Sequence, residues 1–357
     1  MYDIPILMLH TVNDHPKDNP MGELAVSSKG LEAYLKVLKK WKYQMISMDD
    51  LLNSRYDPNG NYIILTFDDG YKDNLTVALP ILKKYGAKAT IFVNPAYAST
   101  ESDDSDWGFM TWEEAEQAEK SDIFDIQAHT MTHEFIFTSD KVVDYYTPDK
   151  FNKYYWLAWM LYPEAPNQWN GKANQYRDMI PTGYPIFEYG RRISGKKFVP
   201  DEGYIAHLIH IYHKQTVEEY TGSHGIYETE EDYRAYIQWE IEECKRVLEE
   251  KLNKKIHTLC FPGGGYTDFA LEVAEKCGFR CYMTASRLRI GNNNDHLAEV
   301  LKGKFTGLNR TSFSLIHPGG VPDSFFDYWI AKLSLGSYQN KQPYRTLKKM
   351  MSKIFHA

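Results

Sequence analysis

The sequence holds few cysteines, four in 357 residues, and no Cys-x-x-Cys pair. Cys244, Cys260, Cys277 and Cys281 lack close histidine or cysteine partners, which argues against a structural zinc site. Buried free thiols are expected, as in a reducing compartment. Long apolar runs are also missing: no stretch approaches the roughly 18 residues that span a bilayer. The first residues, Met1-Tyr2-Asp3-Ile4-Pro5, carry no basic leader. As written the chain reads as cytoplasmic, or as extracellular or cell-surface if a leader has been removed. Positive charge is short as well. There are 41 Lys and Arg against 48 Asp and Glu, a net charge of −7, which argues against a nucleic-acid partner. No solenoid-type repeat is visible.

Aromatic residues are plentiful, with 27 Tyr and 8 Trp. They point mildly to sugars or other flat ligands, and filling of core and surface accounts for most of them equally well. The length allows one large domain or two ordinary ones, and a core that needs no disulfide staples.

The order of patterns predicts strands alternating with helices. Ile4 to Leu9 reads as a buried strand ending at His10. Lys29 to Lys42 has a helical period, and Tyr43 to Ser47 and Met48 to Asn53 read as a short strand and a short helix. Tyr62-Ile63-Ile64-Leu65, after the turn Asp57-Pro58-Asn59-Gly60, is a buried strand that ends in Thr66-Phe67-Asp68-Asp69-Gly70. A helix over Leu75 to Tyr85 stops at Gly86, and Ala89 to Val93 is a strand. Thr111 and Glu114 form a capping box for a helix to about Lys120. A strand over Ile123 to Ala128 leads to His129. Residues 140–229 lose this rhythm and read as an aromatic-rich insertion. The rhythm returns with a helix over Glu231 to Leu252, a strand over His257 to Phe261, the loop Pro262-Gly263-Gly264-Gly265, a helix over Phe269 to Lys276 and a strand over Tyr282 to Ala285. This alternation predicts a parallel α/β sheet. The chemically active residues fall just after strands, where a parallel barrel places its active site.

Two adjacent carboxylates at a strand tip raise each other's pKa, and a cation would relieve them. His129 and His133, four apart, supply the other ligands. On a helical turn this spacing puts both imidazoles on one face. Two histidines and one carboxylate leave a position for water, the arrangement of catalytic rather than structural metal sites.

With these residues the chain resembles polysaccharide deacetylases of the NodB-homology type. Thr66-Phe67-Asp68-Asp69-Gly70 matches the family's first motif, His129-Thr130-x-x-His133 its second, and Cys260-Phe261-Pro262-Gly263-Gly264 stands where the third belongs. The similarity covers about 1–135 and 230–312. It implies a distorted (β/α) barrel over 1–315, interrupted by the insertion, with a helical tail over 316–357. It also implies metal-dependent removal of N-acetyl groups from an N-acetylhexosamine-containing polysaccharide or glycan precursor. Asp69, His129 and His133 would hold a divalent metal, zinc foremost, with cobalt, nickel or manganese as alternatives. Asp68 would be the general base. Gly263 occupies the position of an oxyanion-binding N–H, flanked by Phe261, Pro262 and Tyr266 as further substrate residues.

The run Ile6-Leu7-Met8-Leu9-His10 resembles the circularly permuted branch, which includes deacetylases of poly-β-1,6-N-acetylglucosamine. It makes His10 the general acid, ahead of His317. The third motif commonly starts with an Arg that pairs with the base. Here that residue is Cys260, and no fourth motif is recognised, so Asp68 is left without an assigned partner.

Three further features have two readings each. His207, His210 and His213 drift around a helix and read as solvent-facing or substrate-contacting rather than as a metal site. The acidic run Glu101 to Asp106, which follows a strand, reads as solvated rather than as a loop overhanging the site. The basic, amphipathic stretch 345–355 reads as packing onto the barrel, with a peripheral membrane contact as the alternative. The rival functions are hydrolysis of another amide or cyclic imide on the same fold, and non-catalytic glycan binding.

Overall fold

The computed structural model describes residues 4–15, 22, 24–98, 108–162, 173–284, 293–312 and 346–347. His317, the acidic run and nearly all of the expected helical tail lie outside these residues. The strands in chain order are β1 Ile6–Leu9, β2 Thr11–Val12, β3 Ala25–Val26, β4 Gln44–Ile46, β5 Tyr62–Phe67, β6 Ala89–Val93, β7 Phe124–Ala128, β8 Phe135–Tyr145, β9 Pro185–Arg191, β10 Phe198–Pro200, β11 Gly225–Tyr227, β12 Thr258–Cys260, β13 Cys281–Thr284, β14 Thr306–Asn309 and β15 Thr311–Ser312.

The main sheet is parallel and runs β14-β13-β12-β7-β6-β5-β1-β15, with β4 beside the start of β5. β14 pairs with β13 while β15, one residue further on, pairs with β1. The continuous segment 306–312 therefore bridges the two ends of the sheet and nearly closes it into a barrel. The seam between β7 and β12 is narrow, with Leu259 opposite Ala128.

A strand shows alternate residues to opposite faces, and here both faces are covered. Ile6, Ile64, Phe92, Cys260, Met283 and Leu308 pack with one another inside the barrel. Leu7, Leu9, Ile63, Leu65, Ile91 and Ile126 pack outward, in one cluster with Leu31, Leu35 and Leu38 of the helix Ser28–Lys40 and Ile237, Ile241 and Leu248 of the helix Glu230–Leu252. This two-sided burial is why β5 reads as an unbroken apolar run.

The capping box at Thr111 and Glu114 is present and opens the helix Trp112–Lys120. The helix expected over Leu75 to Tyr85 begins with a π-helical turn, Asn74–Ala78, and continues as Leu79–Tyr85 to the left-handed Gly86.

The insertion is more regular than its sequence suggests. β8 to β11 form an antiparallel sheet in the order β11-β10-β8-β9. Its aromatics build their own core: Phe137, Tyr146, Tyr154, Trp156, Phe187 and Phe198 are all buried together. Register shifts in the β8–β9 pairing, between Phe137 and Val142 and between Val142 and Asp144, interrupt the period-two pattern. No helix among the described residues is long and apolar enough to cross a membrane.

Candidate active site

The site is the uppermost interior layer of the barrel. Its residues continue the inward-facing parity of their strands: His10 two past Met8, Asp68 two past Thr66, His129 two past Gln127, Cys260 two past Thr258 and Arg310 two past Leu308. The C-terminal ends of five strands thus bring together groups that lie up to 300 residues apart.

Of the three expected ligands, Asp69 and His129 lie closest. His129 Nε2 stands 3.2 Å and His133 Nε2 3.6 Å from the same oxygen, Asp69 Oδ1. Asp69 has φ +73°, in the left-handed region, as does Thr130 at φ +62°. Such backbone is strained for non-glycine residues and collects at functional sites. The histidine pair does not sit on a helical turn. Residues 129–133 form a loop, held without helical hydrogen bonds. Asn94 Nδ2 donates to the carbonyls of His129 and Thr130. Met131 N donates to Glu240 O and Thr132 N to the Glu240 carboxylate, both at 2.9 Å. His133 N donates to Tyr97 Oη at 3.1 Å.

The outer nitrogens of the two rings are also engaged. His129 Nδ1 donates to Cys260 O at 2.7 Å, which fixes the ring so that Nε2 faces Asp69. His133 Nδ1 contacts Arg191 Nη1 at 2.6 Å. Arg191 comes from the end of β9, so the inserted sheet reaches the site. Its guanidinium stacks on Phe135, 3.5 Å from the ring centroid.

The donor set suits a divalent cation. Ligand atoms of Asp69, His129 and His133 lie within 4.8 Å of one another. Asp69 Oδ1 is buried and has no hydrogen-bond partner among the described residues, the condition of an acceptor available to a cation. Burial opposes the charge on Asp69, but His133 and His129 outweigh it and hold the carboxyl far below the usual range. A second grouping of Asp68, His129 and Cys260 meets the same distance criterion, but Asp68 is already committed elsewhere.

That commitment is to Arg310, which the sequence reading did not find. Arg310 Nη1 donates to Asp68 Oδ1 at 2.5 Å and Nη2 to Oδ2 at 2.9 Å, a buried bidentate pair. Burial pushes the Asp68 carboxyl upward, yet Arg310, with His129 and His10, outweighs it and leaves the pKa depressed. Cys260 Sγ lies beside the same carboxylate at 3.9 Å. The third-motif position thus contributes a small thiol, and the guanidinium arrives from the junction of β14 and β15. His10 Nε2 stands 3.8 Å from Asp68 Oδ2.

In the loop after β12, Gly263 has φ +63°, which favours glycine. A Cβ there would meet Arg191 Cγ at 3.4 Å. Phe261 and Pro262 are buried, and Tyr266 packs on Phe261 and Tyr282. The three helix histidines do not converge. His207 Nε2 meets Glu218 O and His213 Nε2 meets Thr182 O, and His210 is exposed.

The fold is that of a NodB-homology (β/α) barrel. The model of the polysaccharide deacetylase family matches residues 55–153 and 210–282. A Bacillus subtilis (strain 168) relative that carries the name of a polysaccharide deacetylase, YxkH, is 39% identical over 93 residues. That match spans 25% of this chain and 31% of the relative's length. Among solved structures, the deacetylase domain of BpsB from Bordetella bronchiseptica aligns with a TM-score of 0.53 and 16% identity, over 87% of this chain and 96% of that one. A de-N-acetylase from Aggregatibacter actinomycetemcomitans gives a TM-score of 0.52 and 16% identity, over 87% and 95%. At these identities the likeness is one of fold.

Proposed function

We infer that the protein hydrolyses the N-acetyl group of an N-acetylhexosamine-containing polysaccharide or glycan precursor. The observation that carries this reading is the division of labour between two neighbouring carboxylates. Asp69 faces His129 and His133, whereas Asp68 is turned away to Arg310 and His10.

Asp69, His129 and His133 would hold the divalent cation, of which zinc best suits a His₂-carboxylate set. When bound, the cation lowers the pKa of water and polarises the amide carbonyl. Asp68, kept ionised by Arg310, takes the proton as the water oxygen adds to the carbonyl carbon. The Gly263 N–H is the donor for the developing oxyanion. The C–N bond then breaks, its electron pair goes to nitrogen, and His10 supplies the proton that makes the amine a leaving group. The products are acetate and the free amino sugar. Support for His10 comes from its place at the edge of Asp68, inside the barrel mouth. The residues of the inserted sheet at this mouth, Arg191 and Phe135, would contact the glycan.

The test is acetate release from N-acetylated glycans, measured beside metal content. Asp69→Ala is expected to lose both metal and activity, and Asp68→Asn to keep metal and lose turnover by about 10²–10⁴-fold. Full activity in Asp68→Asn would sink the mechanism. Preferential hydrolysis of a cyclic imide over every glycan tried would replace the substrate class.

A further inference from the structure

The π-helical turn that follows the Asp68-Asp69 tip carries two buried polar residues that the mechanism does not use, Asp73 and Asn74. Both point at the segment just after β1. Thr11 Oγ1 donates to Asp73 Oδ2, and Val12 N donates to Asp73 Oδ1 at 3.0 Å. Asn74 Nδ2 donates to the carbonyl oxygen of His10 at 2.9 Å and to Asp73 Oδ1 at 3.0 Å. Three successive residues, 10 to 12, are therefore held through one carbonyl, one hydroxyl and one N–H. Asp68 N adds a fourth contact, donating to Leu9 O at 2.9 Å.

The arrangement carries a penalty. Asn74 is fully buried, and its Oδ1 has no hydrogen-bond partner among the described residues. A buried acceptor left unmade destabilises a fold. Turning the amide over would not help, because it would set Oδ1 against two acceptors, His10 O and Asp73 Oδ1. A local rule broken without a gain in stability points to function. π-Helical turns are also concentrated at functional sites.

We propose that Asp73 and Asn74 are positioning residues for His10. They fix the backbone of residues 10–12, so the imidazole is left with only its side-chain torsions. Its Nε2 is then directed to the edge of Asp68, where the departing amine needs a proton. The assignment rests on His10 being the general acid, and the experiment separates the two.

Asn74→Leu removes the unpaired oxygen but also the donor to His10 O and to Asp73 Oδ1, so some loss of thermal stability is expected, and the readouts that follow are taken on protein verified as folded. Turnover of an N-acetylated chito-oligosaccharide should fall about 10–100-fold, part of the range for general acid catalysis, with KM nearly unchanged. Hydrolysis of p-nitrophenyl acetate, whose phenolate leaves without a proton, should change about twofold or less, and bound metal should not change. In a His10→Ala background, Asn74→Leu should have no further effect on glycan turnover, because residues acting as a unit are not additive. An equal loss on ester and glycan, or the same fold-loss with and without His10, would overturn the proposal. A His10→Ala protein with full glycan turnover would remove the acid role itself, and shows this before Asn74 is tested.

Discussion

Replacing Arg310 by Met should expose how much of the site depends on one ion pair. The side chains of Arg310 and Asp68 are both nearly inaccessible to water, at 3% and 4%. Removing one partner of a buried pair destabilises by about 3–5 kcal/mol, because the remaining charge is left uncompensated. In the parent, the depressed Asp68 pKa adds stability that is present above the unfolded value and is lost as pH falls through the folded one. In Arg310→Met the sign reverses, because burial raises the carboxyl. The deficit should be largest at pH 8 and shrink as pH falls and Asp68 takes a proton. Chemical denaturation of chelator-treated protein across pH 5 to 8 reads this directly. Glycan turnover should fall about 10²–10⁴-fold near neutrality, and the acidic limb of the pH–rate profile should move upward. A variant as stable as the parent at every pH, with an unmoved acidic limb, would refute the reasoning.

The loop 129–133 gives a second test. Glu240→Leu removes the acceptor of Thr132 N and should weaken metal binding by about 10–100-fold, as measured by competition with a coloured chelator; unchanged affinity would show that Asn94 and Tyr97 suffice to hold the loop. Away from the site, Glu249 accepts from Lys245, Lys255 and Ile256 N. Burial is the largest single influence and opposes its charge, but these donors together outweigh it and depress the carboxyl to about 2. Its stabilisation is present above the unfolded pKa and lost as pH falls towards 2, so Glu249→Gln should cost about 1–2 kcal/mol at pH 7 and nothing near pH 2, by denaturant unfolding at both.

The legible parts of the chain were those with local signals. β5 and its carboxylate tip, the box at Thr111 and Glu114, and the stop at Gly86 each follow from neighbouring residues. Arg310 was missed because its signal is short and weak. Thr306-Gly307-Leu308-Asn309 is a four-residue strand containing one large apolar side chain. Carrying the inward parity from Leu308 to 310 would have found it, had that strand been recognised. The His-x-x-x-His spacing suggested a helix. A left-handed Thr130 and contacts from three distant elements produce the same convergence in a loop, and nothing local announces them. The inserted sheet was hidden for another reason: shifts in the β8–β9 register interrupt its alternation.

The closure of the barrel by 306–312 also sets an order of events during synthesis. Asp68 and Asp69 emerge early, and β1 can pair with β5 as soon as both are made. The guanidinium that compensates Asp68 is translated 242 residues later, on the same segment that supplies the last neighbour of β1. Until then the barrel is an open sheet with a free edge and an unneutralised carboxylate in its interior. Compensation of Asp68 and closure of the fold are thus one late event, and they share the slow, high-separation contact on which the folding rate of such topologies depends. A chain released before that segment would keep Asp69, His129 and His133 and lack the Arg310 partner of the Asp68 carboxylate.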